Sequence, residues 1–173
     1  WDLELNLQQL GFDYTYDKWF YDHLAHDNYC ETQNHLLDVD RDFLQRNVRF
    51  IENHDEQRAA TRFPLNEHRV AALLSLGLPG MRLLHYGQLE GARTHLPVQL
   101  TRRPAEPRDA KVAEFYDRLL AALRNHSVGR GSFDMLRPRS AWSQNTSDHC
   151  FVIVQWESNP DAFDLVVVNL SAQ

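Results

Sequence analysis

Apolar residues along the chain follow two spacings, and the dominant one changes near residue 128. Leu3, Leu7 and Leu10 recur at helical spacing and stop at Gly11, which predicts a short amphipathic helix. Over 12–17 the spacing drops to two: Phe12, Tyr14 and Tyr16 alternate with Asp13, Thr15 and Asp17, as in a strand with a polar end. Residues 18–46, rich in His, Asp and aromatics, predict one or two helices. One of them lies over HLLDVDRDFLQRN, where Leu36, Phe43 and Leu44 are spaced for a helix. VRFIEN, 48–53, is the next strand. Over 65–76, Val70, Ala71, Leu73 and Leu74 give a broad helical face, with Gly77 as the C′ residue and Pro79 blocking continuation. MRLLHYG, 81–87, is a third strand. The helix of 109–124 has the clearest period, with Val112, Tyr116, Leu119 and Leu123 in line and Phe115 and Leu120 widening the face.

Strands and helices therefore alternate up to about 128, the order of a parallel sheet with helical crossovers. A long irregular loop, 87–107, exceeds the usual βα connection and is expected to be functional or to carry a small excursion. Gly129 and Gly131 mark a boundary. Beyond it, 133–137, 149–157 and 161–170 read as strands with no helix between them. The SNPD turn, 158–161, makes the last two an antiparallel hairpin. Three strands alone form an incomplete β region, or one that leans on the α/β region. The chain opens inside a helix at Trp1 and stops just past a strand, so it reads as a piece of something longer.

With 173 residues, 43% of them apolar and 24% charged, the chain has the makings of a real core. A net charge of −6 and the absence of a basic stripe argue against nucleic acid: Arg102, Arg103 and Arg108 are interleaved with Pro and Glu. No apolar run reaches the roughly 18 residues of a membrane span, so no membrane partner is expected. Cys30 and Cys150 lack metal-ligand spacing; two free thiols are the first reading and one bridge the second. The triplets at Asn125, Asn145 and Asn169 do not decide the compartment, which stays open with the cytoplasm as the expectation.

Candidate chemistry concentrates where the 48–53 strand runs into Asn53, His54, Asp55 and Glu56. In parallel α/β architectures ligands meet the carboxyl ends of strands. A carboxylate there is held rigidly and aimed into a cleft, an imidazole can donate to a hydroxyl, and Asn53 can steady a neighbouring carboxylate. The plain alternative is a polar strand end that caps the following loop. His54, Asp55 and His68 do not make a recognised metal spacing, and no G-x-S-x-G elbow supports a nucleophilic serine. No metal and no cofactor are expected.

FIENHDEQRAATRF, 50–63, resembles the fourth conserved region of the α-amylase family of glycoside hydrolases. LPGMRLLHYGQLEGAR, 78–93, resembles that family's eighth barrel strand and the turn after it, and GFDYTYDK, 11–18, its sixth strand. The resemblance implies an α/β fold: part of a (β/α)8 TIM barrel, strands six to eight, over 1–128. The start of an antiparallel β-sandwich domain follows over 129–173.

By the same resemblance Asp55 is the family's third invariant carboxylate, which binds the distorted sugar and stabilises an oxocarbenium-like transition state. His54 hydrogen-bonds the same sugar, and Asn53 supports it. Arg58 and Arg62 contact sugar or pair with acids; Arg58 is carried as substrate-binding. Glu52 and Tyr86 are expected to be structural, as is the Trp19, Phe20 and Tyr21 face. A retaining glycosidase also needs a nucleophile and an acid/base about 5 Å apart. In this family these follow strands four and five, and neither Glu4, Asp13 nor Asp17 matches them. The implied activity is therefore that of part of a hydrolase or transglycosylase acting on α-glucans or maltooligosaccharides, inactive as this piece alone. The second expectation is a non-catalytic carbohydrate-binding or structural domain of the same fold. Either way, exposed barrel edges would be covered by the missing half or by self-association.

Overall fold

The computed structural model describes residues 2–26, 28–99, 102, 104–159 and 161–171. Trp1, Arg103 of the long loop and Pro160 of the final turn lie outside the described residues. Helix α1 (Asp2–Gln9) precedes strand β1 (Thr15–Tyr16), helices α2 (Lys18–Ala25), α3 (Tyr29–Asp38) and α4 (Arg41–Gln45), and strand β2 (Asn47–Arg49). Helices α5 (Ala59–Arg62) and α6 (Leu65–Gly77), strand β3 (Met81–Arg82) and helix α7 (Ala110–Asn125) follow. Strands β4 (Ser132–Leu136), β5 (Phe151–Asn159) and β6 (Ala162–Asn169) close the chain, with a 3₁₀ turn at Ser147–Cys150.

The first three strands form one parallel sheet in the order β1-β2-β3, with Tyr16 opposite Val48 and Val48 opposite Met81. All three are shorter than their apolar patterns predict. Asp17 ends β1 by accepting the Phe20 N–H at 3.1 Å, which starts α2. Beyond Arg82 the chain curls: Gly87 takes φ +91°, and the Ala92 N–H closes back on the Gly87 carbonyl. The single helix expected within 35–47 is two, because Asp40 caps α4 by accepting from the Asp42 and Phe43 N–H groups. Gly77 is the last residue of α6 rather than the residue after it.

Sheet β4-β5-β6 is antiparallel throughout, with Val154 opposite both Met135 and Val166. It does not have a core of its own. Phe133, Val152, Val154, Trp156, Val166 and Val168 share one buried cluster with Leu74, Leu76 and Tyr116. Each such side chain contributes about 1.5–3 kcal/mol on burial. The Trp156 indole N–H donates to the Gly77 carbonyl at 3.0 Å, and Gln33 Nε2 donates to the Phe151 carbonyl at 2.6 Å. The β region therefore leans on the α/β region through both packing and buried hydrogen bonds.

The layer between sheet and helices is partly polar. Arg49 and Asp17 form a fully buried ion pair. Beside them Gln8 Nε2 donates to Thr15 Oγ1 at 2.9 Å and to Asn47 Oδ1 at 3.2 Å. Burial alone would raise the Asp17 carboxyl, but Arg49, His35 and the Phe20 N–H together hold it below the ordinary carboxylate value. Side chains in and beside the outer strands are uncovered: Phe12, Tyr14, Tyr16, Met81 and Leu84 are exposed, as are Leu3 of α1 and Leu10 just past it.

Phe20 and Tyr21 pack into the core, and the Trp19 ring stacks on His23 and lies tilted against His35. Trp142 is exposed and Trp156 buried, so they form no paired platform. Cys30 and Cys150 are free thiols. Among the described residues no helix is long and apolar enough to cross a membrane.

Candidate functional site

Leaving β2, the chain stays buried through Phe50, Ile51, Glu52 and Asn53 and then emerges at His54. Asn53 makes the turn. Its side-chain oxygen accepts the backbone N–H groups of Asp55 at 2.8 Å and Glu56 at 3.0 Å. The neighbour that Asn53 steadies is thus the backbone of Asp55, not its carboxylate. His54 and Asp55 side chains stand 51% and 74% exposed, with Nε2 3.2 Å from Oδ2. Glu56 turns aside and pairs with Lys18 at 3.2 Å.

Glu52 and Arg58 anchor this loop at its base. The Glu52 carboxylate accepts the Ala59 N–H at 2.6 Å and lies 3.0 Å from the Arg58 guanidinium. Burial pushes the Glu52 carboxyl up to about 7, opposed by the Ala59 N–H and by Arg58. Arg58 is itself buried and spans three segments. It donates to His85 Nδ1 at 2.6 Å, to the Tyr86 carbonyl at 2.9 Å and to the Ala92 carbonyl at 3.4 Å. The short segment of two predicted strands is thereby brought together: His54 and Asp55 follow β2, and His85 and Tyr86 follow β3.

A cavity of about 190 Å³ opens between them, lined by His54, Arg58, His85, Tyr86, Thr94, Leu96, Pro97, Val98 and Glu106. Tyr86, expected to be structural, stands 78% exposed at its mouth. The far wall comes from the long loop, which is pinned at its neck. Glu106 accepts the N–H groups of Arg93 at 2.8 Å and Thr94 at 3.2 Å, and His95 Nε2 lies 3.0 Å from the His54 carbonyl. Such closure gives the loop the compactness of an Ω-loop. A larger cavity of about 600 Å³ lies elsewhere, between Leu24, Phe63, Val70 and Leu170, away from the strand ends and without a cluster of titratable groups.

Sequence reasoning missed the support that runs outward from this site. Gln88 is buried, accepts the His85 backbone N–H at 3.2 Å and donates to the Tyr116 hydroxyl at 2.7 Å. The Tyr116 hydroxyl lies 3.0 Å from His68 Nε2. Tyr116 accepts from Gln88 and so directs its own proton at His68. Burial pushes the His68 imidazole down to about 4 and the Tyr116 hydroxyl far up. Gln88 sits in an irregular turn, and no periodicity flags it. His68 and Tyr116 fall on the apolar faces of their helices, where polar tips are the available signal. Among the described residues no three His, Cys, Asp or Glu side chains converge as a metal site.

No family model and no curated protein matches the sequence. Solved structures do. The maltogenic α-amylase AmyB of Thermotoga neapolitana superposes with a TM-score of 0.70 at 18% identity, over 94% of this chain and 39% of that one. An α-amylase from H. orenii gives 0.62 at 17% identity, over 92% and 39%. The cyclic α-maltosyl-(1→6)-maltose hydrolase of Arthrobacter globiformis, in complex with maltose, gives 0.64 at 13% identity, over 91% and 37%. The chain thus spans less than two-fifths of the length of each, and what it shares with these enzymes is the fold of that part.

Proposed function

We propose that residues 1–173 are part of a retaining glycoside hydrolase or transglycosylase acting on α-glucosidic linkages. Residues 1–128 supply strands six to eight of a (β/α)8 barrel, and 129–173 begin the β-sandwich domain behind it. The observation that carries this reading is the placement of His54 and Asp55: paired, exposed, just past a central parallel strand, and beside a cavity walled by the next strand end.

Asp55 accepts hydroxyls of the distorted sugar and places a negative charge near the positive charge that develops in an oxocarbenium-like transition state. His54 binds the same sugar. Arg58 contributes from the cavity wall and sets the loop. The nucleophile and the acid/base, about 5 Å apart in a retaining enzyme, are supplied outside residues 1–173. Structural likeness to two α-amylases and a maltosyl-maltose hydrolase supports a maltooligosaccharide or α-glucan as the substrate.

Titrating maltotriose into the isotope-labelled protein that carries this chain together with the rest of the site tests this. Backbone shifts are expected at His54 and Asp55, and Asp55→Ala should weaken binding about tenfold or more, as for loss of a charged hydrogen bond. Absence of any shift at these residues would overturn the reading. Hydrolysis of maltooligosaccharides by this chain alone, above background, would overturn the division of catalytic labour.

A further inference from the structure

His85 follows β3 across the cavity from His54, and its ring is held on one side only. Arg58 Nη1 lies 2.6 Å from His85 Nδ1 and 3.0 Å from Glu52 Oε1, so its two N–H bonds serve both groups. Glu52 Oε1 lies 3.3 Å from the same Nδ1. An arginine guanidinium does not deprotonate, so the proton at the short contact belongs to Arg58 and Nδ1 must accept. The proton of a neutral ring then sits on Nε2. The ring lines the cavity with its side chain 30% exposed, while the Nδ1 edge is occupied by Arg58 and Glu52. We propose that His85 is a further sugar-binding group of this site, held by Arg58 as a neutral imidazole whose Nε2–H faces the cavity and donates to a hydroxyl of an α-glucan. The proposal rests on the reading of the site as a glucan site.

The arrangement differs in kind from that of His54. There Nε2 is committed to Asp55 at 3.2 Å, so the two act as a unit. The acid beside His85, Glu52, lies at its Nδ1 edge, and Glu106 of the cavity wall is bonded to the Arg93 and Thr94 N–H groups. Burial pushes the His85 imidazole down, and Arg58, His54 and His95 push the same way, while the Glu52 carboxyl 3.3 Å from Nδ1 is the opposing neighbour. Its backbone is fixed as well, because the His85 N–H donates to Gln88, which is held in turn by Tyr116. A neutral donor on a fixed ring suits a hydroxyl, which can accept from Nε2–H while donating elsewhere.

Long-range proton–nitrogen correlation on the free, histidine-labelled chain reads the tautomer directly. The Nε2–H form is expected at pH 7 and should persist at pH 6, where an unperturbed imidazole of pKa about 6.5 is mostly charged. An Nδ1–H tautomer, or a protonated His85 ring at pH 6, overturns the proposal. Maltotriose titration then reads the sugar contact. His85→Ala should weaken binding about tenfold, and His85→Gln, which keeps a nitrogen donor at similar reach, should stay within about threefold. Equal binding by wild type and His85→Ala overturns the contact while leaving the glucan reading intact. No binding by the wild type overturns the glucan reading and the contact with it, and the tautomer of the free protein is judged separately.

Discussion

The guanidinium of Arg58 and the carboxylate of Glu52 meet at 3.0 Å with both side chains buried, and the loop bearing His54 and Asp55 is strung between them. The pair is a hinge pin rather than a surface ornament. Removing Arg58 strands the buried Glu52 carboxyl, His85 Nδ1 and the Tyr86 carbonyl without their donor, at about 1–3 kcal/mol for each orphaned acceptor. Arg58→Met is therefore expected to destabilise the chain by that order in urea denaturation. Glu52→Gln, which keeps an acceptor for the Ala59 N–H, should cost clearly less. Equal losses would mean that the charge of the pair has no role in anchoring the loop.

Two buried groups tilt the pH dependence in opposite directions. Glu52 is raised from 4.5 to about 7, so the fold favours its neutral form. The stability it contributes is full below pH 4.5 and is lost as pH rises towards 7, by up to about 3 kcal/mol. His68 is lowered from 6.5 to about 4, so the fold again favours the neutral form. Its contribution is full above pH 6.5 and is lost as pH falls towards 4. The wild-type curve between pH 4.5 and 6.5 is thus a difference of two slopes. Thermal melts at pH 5 and pH 7.5 should separate them: Glu52→Gln should raise the Tm at pH 7.5 relative to pH 5, and His68→Gln should do the reverse.

Arg49 and Asp17 hold β1 and β2 together beneath the helices. Arg49→Leu strands the Asp17 carboxylate and should destabilise by about 3–5 kcal/mol. Asp17→Asn is not the mirror experiment, because it keeps the acceptor for the Phe20 N–H. Because the Asp17 carboxyl is depressed, its stabilisation is present above its ordinary value of 3.8 and is lost as pH falls through the folded one. Acid unfolding monitored by circular dichroism should therefore shift to higher pH in Arg49→Leu. An unchanged acid midpoint would contradict the assignment.

Gly77 of α6 lies directly against Val166 of β6. A Cβ there would lie 2.7 Å from Val166 Cγ1, and the branched valine has little rotamer freedom with which to retreat. Overpacking of this kind costs about 1–3 kcal/mol, against roughly 1 kcal/mol gained by replacing a helical glycine with alanine. Gly77→Ala should destabilise in a Val166 background and stabilise in a Val166→Ala background, so the double-mutant cycle should show a coupling of opposite sign to the loss. Additive effects would mean that Gly77 and Val166 do not constrain one another.

The chain's periodicities by themselves determined the alternation of strand and helix up to about 128, the change from a parallel to an antiparallel sheet beyond it, and the amphipathic helices of 65–76 and 109–124, but they read α2, α3 and α4 as one or two helices and gave no sign of α5. The helix of 109–124 holds because its period persists over several turns, and Asp109 caps it through the Lys111 and Val112 N–H groups. Local pattern also put His54 and Asp55 at a strand end. It overestimated the strands: Asp17 takes up the Phe20 N–H just past β1 and starts a helix there. Tertiary structure decided the rest. Arg58 and Glu52 are six residues apart on an ordinary polar stretch, and only the packing of the turns after β3 against them buries both and brings His85 to Nη1. Gln88, Tyr116 and His68 come from three separate segments and meet because a buried polar atom must find a partner. Periodicity reports which face of one element is apolar; it carries no information about which polar tips, far apart in the chain, must satisfy one another once water is excluded.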